Sequence, residues 1–135
     1  MTHTFKALAT SAVVLATATT AHAASLRDNA EVNNGLILAG ITETIYETCP
    51  TISVRKLRGI FYLRSLYTMA KNAGFSEEEI EAYVDNEEEE ARLRARVNAW
   101  LADKGAVEGN PETYCAVGRA QIAAGNQIGV LLRAD

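Results

Sequence analysis

The segment 113-TYCAVGRAQIAAG-125 has the length and alanine content of a helix, yet a cysteine and two glycines stand where leucines would be expected. Carried on to Leu132, the residues Cys115, Gly118, Ile122, Gly125, Gly129 and Leu132 are spaced three, four, three, four and three apart, which places them on one helical face. Glycine inside a helix costs about 1 kcal/mol relative to alanine, so a face holding three of them implies close approach by another backbone. Gly125 followed by Asn126 also reads as a C-cap that would break the helix there. The maintained spacing favours one continuous helix to Leu132, with Gly118, Ile122, Gly125 and Gly129 as its packing seam.

The expected object of that approach is the first helix, read from Asp28 to about Thr48, where Ala30, Ile37, Ile41 and Ile45 recur at helical spacing. Within it 35-GLILAGI-41 is apolar all round, the mark of a buried central helix, and Gly35 and Gly40 flank that stretch. Cys49 ends this helix, so a Cys49–Cys115 bridge would staple the two helices at one end. The alternative object is a helix of a partner protein, received on the same glycine face.

Where the chain resides decides how its two cysteines are read. Lys6, the short apolar run 7-ALATSAVVLATA-18 and the small-x-small triplet 21-AHA-23 form a signal peptide over residues 1–23, with cleavage between Ala23 and Ala24. A membrane anchor is the competing reading, but the run falls well short of the roughly 20 apolar residues needed to span a bilayer. No cysteine lies at the cleavage site, so there is no lipobox. Residues 24–135 then form a single domain in the periplasm, where an even cysteine count reads as a disulfide. Two free thiols or an intermolecular bridge are the other options. The spacing excludes a CxxC redox motif and a CxxCH haem site.

Removal of the leader has a chemical consequence. Both histidines, His3 and His22, leave with it. The remaining chain has no imidazole, hence neither the usual general base near neutral pH nor the commonest metal ligand. Serine–histidine and cysteine–histidine mechanisms and histidine-based zinc sites drop out. No phosphate loop or dinucleotide fingerprint occurs after residue 23. The expectation is a non-enzyme with no catalytic residue, cofactor or metal site. The full chain carries a net charge of −4, one unit more negative without Lys6, which makes nucleic acid and anionic lipid poor partners.

The rest of the sequence is helical in pattern, with no convincing strand. A second helix is expected from an N-cap near Ser53 to Gly74, with Leu57, Ile60, Leu63, Tyr67 and Ala70 as its inner stripe and five cations, Arg55, Lys56, Arg58, Arg64 and Lys71, around it. The motif 76-SEEE-79 is a capping box opening a short helix with Ile80, Tyr83 and Val84. Asp85 or Asn86 caps a fourth, running to Gly105 with Leu93, Val97, Trp100 and Leu101 inside and Glu88–Arg92 and Glu90–Arg94 as i,i+4 pairs. Pro111 suits the first position of the last helix. The fold class is all-α: a small single-domain bundle of about five helices tied by one disulfide.

The acidic segment Glu77–Glu90 admits three functional readings: a calcium site, a docking face for a basic partner, or an acid-sensing face. Calcium is weakest, because 85-DNEEEE-90 lacks the alternating ligands and turn glycine of an EF-hand loop. Crowded carboxylates take up protons more readily than isolated ones. Helix capping, arginine pairing and solubility account for most of these charges without any function.

Two segments carry a family likeness: 48-TCPTISVRKLRGIFYLRSL-66 and 74-GFSEEEIEAYVDNEEEEARLRARVNAWLADKGAVEGNPETYCAVGRAQIAAGNQIGVLLR-133. With the leader, they resemble a group of small exported alphaproteobacterial proteins, the domain-of-unknown-function family 5333. TCP and YCAVGR are the most specific parts. The resemblance implies export and paired cysteines, and it brings no substrate, cofactor or catalytic residue. The functional expectation is a periplasmic interaction or accessory protein that docks on another envelope protein. An acid-type periplasmic chaperone and an inhibitor or immunity-type protein are the alternatives. No transmembrane segment is expected after residue 23, and the oligomeric state is open.

Overall fold

The computed structural model describes residues 25–135. The leader, 1–23, and the Ala23–Ala24 bond lie outside them. Ser25 caps a 3-10 turn, Leu26–Asp28. The Asn29 carboxamide oxygen then accepts the Val32 N–H at 3.0 Å and opens α1, Ala30–Thr48. Next come β1, Ile52–Val54; α2, Lys56–Asn72; α3, Glu77–Val84; α4, Glu87–Asp103; α5, Pro111–Ala124; α6, Gln127–Leu131; and β2, Leu132–Ala134. Both expected caps hold, with a complete Ser76–Glu79 capping box on α3 and Asn86 on α4.

The all-apolar reading of 35-GLILAGI-41 is realised by position. α1 is the central helix, and Ile41 and Ile45 are shut off from solvent. Gly35, Gly40 and Ile45 are five residues apart, about 140° around the helix at each step, and each faces a different neighbour. At Gly35 a side chain would collide with Leu66 of α2. At Gly40 an added Cβ would lie 2.8 Å from Val97 of α4. Ile45 meets Gly118 of α5, where an added Cβ would lie 2.8 Å from Ile45 Cγ2 and 2.5 Å from Ile52 Cδ1. The two glycines of α1 therefore admit α2 and α4, not the last helix. The Cys49–Cys115 disulfide forms, with the two Cα atoms 5.1 Å apart, and both residues are buried in the main core beside Ile45, Ile52, Val117 and Leu132.

The continuous last helix is corrected. Gly125 has φ +62, a left-handed C-cap whose N–H donates to the carbonyls of Gln121 and Ile122, both at 3.1 Å. Asn126 caps α6 by accepting the Gly129 N–H at 3.0 Å. The reason is that a left-handed glycine at C′ satisfies carbonyls that a helix end otherwise leaves open, and it turns the chain back. Of the expected seam, Gly118 packs on α1 and Ile122 on the main core, but a Cβ added at Gly125 would meet nothing within 4 Å. Gly129 lies against the Gln121 carbonyl of α5, with an added Cβ 2.9 Å from Ile122 Cα.

The turn delivers two strands that the sequence reading lacked. β2 pairs antiparallel with β1 in the register Ile52↔Ala134, Ser53↔Arg133 and Val54↔Leu132. Ser53 therefore lies in a strand instead of capping α2, which starts after Arg55. The Arg55 N–H donates to the Leu131 carbonyl at 2.7 Å, and the Arg55 and Arg58 side chains donate to the Leu132 and Val130 carbonyls. The chain's end is thus sewn to the segment next to Cys49.

A smaller core of Leu26, Val32, Ala70 and Ile80 joins the start of α1 to α2 and α3. Beside it Asn33 is buried and fully bonded. Its amide donates to the Leu26 and Asn29 carbonyls, both at 2.7 Å, and its oxygen accepts from the Tyr83 hydroxyl and from Arg92 at 2.9 Å. Arg92 pairs with Glu89 at 2.7 Å, not with Glu88 as expected, because this turn lets it reach Asn33 and Tyr83 at once. Glu90–Arg94 forms as expected, at 3.1 Å.

Gly118→Leu drives a side chain into Ile45 and Ile52 and is expected to cost about 1–3 kcal/mol in urea unfolding under non-reducing conditions. Gly125→Ala discriminates between the two shapes of the C-terminal segment. With Gly125 in the left-handed conformation the variant loses about 1–2 kcal/mol, whereas a continuous helix would gain about 1 kcal/mol.

Candidate functional site

The second helix departs most from its expected burial, and the departure makes the site. Of the stripe Leu57, Ile60, Leu63, Tyr67 and Ala70, only Ala70 is buried. Leu57, Ile60 and Leu63 are 71%, 61% and 52% exposed. The helix is rotated so that Gly59, Tyr62, Leu66 and Ala70 face inward. The cause is Gly35, whose missing side chain makes the one notch on α1 that admits Leu66. The Tyr62 hydroxyl fixes the rotation by donating to the Gly35 carbonyl at 3.2 Å.

With α2 seated on one side of α1 and α4 on another, a groove of about 470 Å³ opens between them. Its floor is the α1 face Leu36, Ala39 and Gly40. One wall is Gly59, Tyr62 and Leu63 of α2; the other is Leu93 and Val97 of α4, with Tyr83 and Val84 of α3 closing an end. Val54 and Leu131 lie at the other end. The lining is mainly apolar, with few polar groups at the rim, the usual make-up of a binding cleft. Those rim groups are Glu43, Glu47 and the Glu90–Arg94 pair.

Burial pushes both tyrosine hydroxyls of the groove, Tyr62 and Tyr83, above the ordinary value of 10.0. At Tyr83 the Arg92 charge opposes that effect and Glu89 adds to it. These hydroxyls hold helices together through Gly35 and Asn33, and neither is poised for proton transfer near neutral pH.

The groove was not legible as a site. Its polar rim comes from residues that looked like a solvated surface, and its apolar wall from residues read as core. The one available signal was the excess of apolar side chains on α2 over what a single neighbouring helix can cover. The structure brings Cys49 and Cys115 together at a purely structural position. The acidic segment Glu77–Glu90 spans α3 and the first turn of α4; Glu77, Glu78 and Glu79 and then Glu87, Glu88, Glu89 and Glu90 lie at positive helix ends, while Asp85 lies at the C-cap of α3. No cluster of three or more metal-ligating side chains is present among the described residues, and no described helix is long and apolar enough to cross a membrane.

Fold and crosslink define a small, single-domain helical protein tied by one disulfide. The chain belongs to the family of unknown function DUF5333, whose model matches residues 24–133. No curated protein matches it, and no solved structure does.

The tyrosines give a pH dependence with a definite sign. A folded-state pKa raised above the unfolded 10.0 contributes stability that is complete below pH 10.0 and is lost as pH rises through the folded pKa. The melting temperature is expected to fall above about pH 10. Tyr62→Phe should cost about 1 kcal/mol at neutral pH, from the lost bond to Gly35. It should also flatten the alkaline fall, as thermal melts at stepped pH would reveal.

Proposed function

We propose that this is an exported, non-catalytic interaction protein that holds an apolar helical segment of another envelope protein in the groove between α2 and α4. The observation that carries the reading is the groove itself: an apolar channel floored by a helix, open between two others, with Leu63 on its lip half exposed. An amphipathic helix is the ligand that such a channel suits, because its apolar face completes the missing fourth side of the bundle. The non-catalytic part rests on residue types. Both histidines lie in the leader, both cysteines are consumed by the disulfide, and the groove tyrosines hold their protons far above neutral pH. Export rests on the leader pattern and on what a disulfide needs to persist.

A photo-crosslinking residue placed at Leu63 in the native cell envelope, with Ala120 on the exposed side of α5 as control, tests the docking site. A discrete adduct to another protein from position 63 alone is the expected outcome. Equal labelling at both positions, or none, would remove the groove from consideration. Intact-mass analysis of the exported chain is expected to find Ala24 as its first residue.

The exposed Leu57, Ile60 and Phe61 favour a second reading, an acid-type chaperone that presents apolar surface to unfolding clients. It requires dye binding and aggregation suppression to rise between about pH 7 and about pH 2 as carboxylates protonate. A flat response over that range would dismiss it.

A further inference from the structure

We infer that, in the protein by itself, the groove is filled by α2 of a second copy, giving a twofold dimer in which each α2 lies in the other's groove. This rests on the reading of the groove as a helix-docking site and names its occupant.

The first argument is shape. Ile60, Leu63 and Tyr67 are exposed on one face of α2, and Leu63 belongs at the same time to that face and to the groove wall. The guest surface and the host surface are therefore one continuous patch, the condition for an isologous interface in which the same residues serve both sides.

The second argument is charge. The four cations of α2, Lys56, Arg58, Arg64 and Lys71, form no ion pair among the described residues, though Arg58 donates to the Val130 carbonyl; the pairs present use Arg27, Arg92, Arg94, Arg119 and Arg133. Glu43 and Glu47, on the groove rim, are likewise without an ion-pair partner among the described residues. A helix with the cations Lys56, Arg64 and Lys71 free of ion pairs among the described residues thus stands beside a groove whose rim carboxylates Glu43 and Glu47 are equally without one.

Direction follows from the fold. Leu66 packs at Gly35, near the start of α1, while Val54, just before α2, lines the groove with Glu47, near the end of α1. So α2 runs antiparallel to α1. With the two α2 helices antiparallel across the dyad, the guest runs parallel to the host α1. Its Ile60, Leu63 and Tyr67 then rest on Leu36, Ala39 and Gly40, and its Lys71 reaches Glu43 and Glu47. The same contact covers Ile60, Leu63 and Tyr67 of both copies, which a monomer leaves in water.

Sedimentation equilibrium on the full-length chain, expressed with its own leader and purified without reductant, tests this directly. The expected result is a dimer that Leu63→Glu converts to monomer, raising the dissociation constant about 100-fold or more, with the far-ultraviolet spectrum and cooperative melt retained because Leu63 is half exposed. Lys71→Glu and Glu47→Lys should each weaken the dimer about 10-fold, and the double variant should restore it. A wild-type monomer up to the highest soluble concentration overturns the inference, as does a dimer indifferent to Leu63→Glu or a double variant no stronger than the singles. A monomer that still gives an envelope adduct from position 63 would remove the second copy and leave the docking function standing. A dimer with no such adduct would do the reverse.

Discussion

The Cys49–Cys115 disulfide, with Gly118 one helical turn beyond it, is the joint on which the structure depends. It fixes the end of α1 to the start of α5, and the bare backbone at Gly118 lets Ile45 and Ile52 press against α5. Cross-linking residues 66 apart in sequence removes loop entropy from the unfolded chain, worth about 4 kcal/mol in the chain-entropy model. In a domain this small, whose total stability is of the order of 5–15 kcal/mol, that is a large share. The joint also sets where everything after it falls. α5 leaves from the bridge, Gly125 turns it back, and β2 returns to β1 a few residues from Cys49.

That closure covers one side of the central helix with the C-terminal third of the chain. The other sides go to α2 and α4, each through a glycine of α1 that admits one large side chain. Two such notches fix the angles at which both helices sit, and the channel between them is what is left over. The groove is thus a consequence of how α1 is covered. Its apolar lining comes from Leu36, Ala39 and Gly40 of the central helix and from the flanking residues Leu63, Leu93 and Val97 of α2 and α4.

The smaller core is held differently. A buried asparagine, a tyrosine, an arginine and a glutamate gather the turn Leu26–Asp28, α1, α3 and α4 into one hydrogen-bonded knot, and no buried side-chain polar atom among the described residues lacks a partner. Such a network specifies geometry, since each member is satisfied only in one arrangement. It also explains the shift of Arg92 from Glu88 to Glu89: a surface pair is worth only some tenths of a kcal/mol and yields to a partly buried bond.

The sequence by itself determined that α1 to α4 and the segment after Pro111 are helical, the caps at Ser76 and Asn86, the burial of Ile37, Ile41 and Ile45, and a disulfide as the expected state of Cys49 and Cys115. Each of these follows from local signals: periodicity, capping residues, or the absence of any other partner. Only the tertiary structure decided which glycine of α1 receives which helix, which face of α2 looks inward, and whether the chain bends at Gly125. An apolar stripe records that a face prefers to leave water, but not what covers it. The four, three, four spacing of Gly118, Ile122, Gly125 and Gly129 fits a straight helix as well as a broken one. A left-handed glycine turns that spacing into a reversal, and the stripe on α2 stays exposed because α1 offers a single notch, at Gly35, for Leu66 to enter.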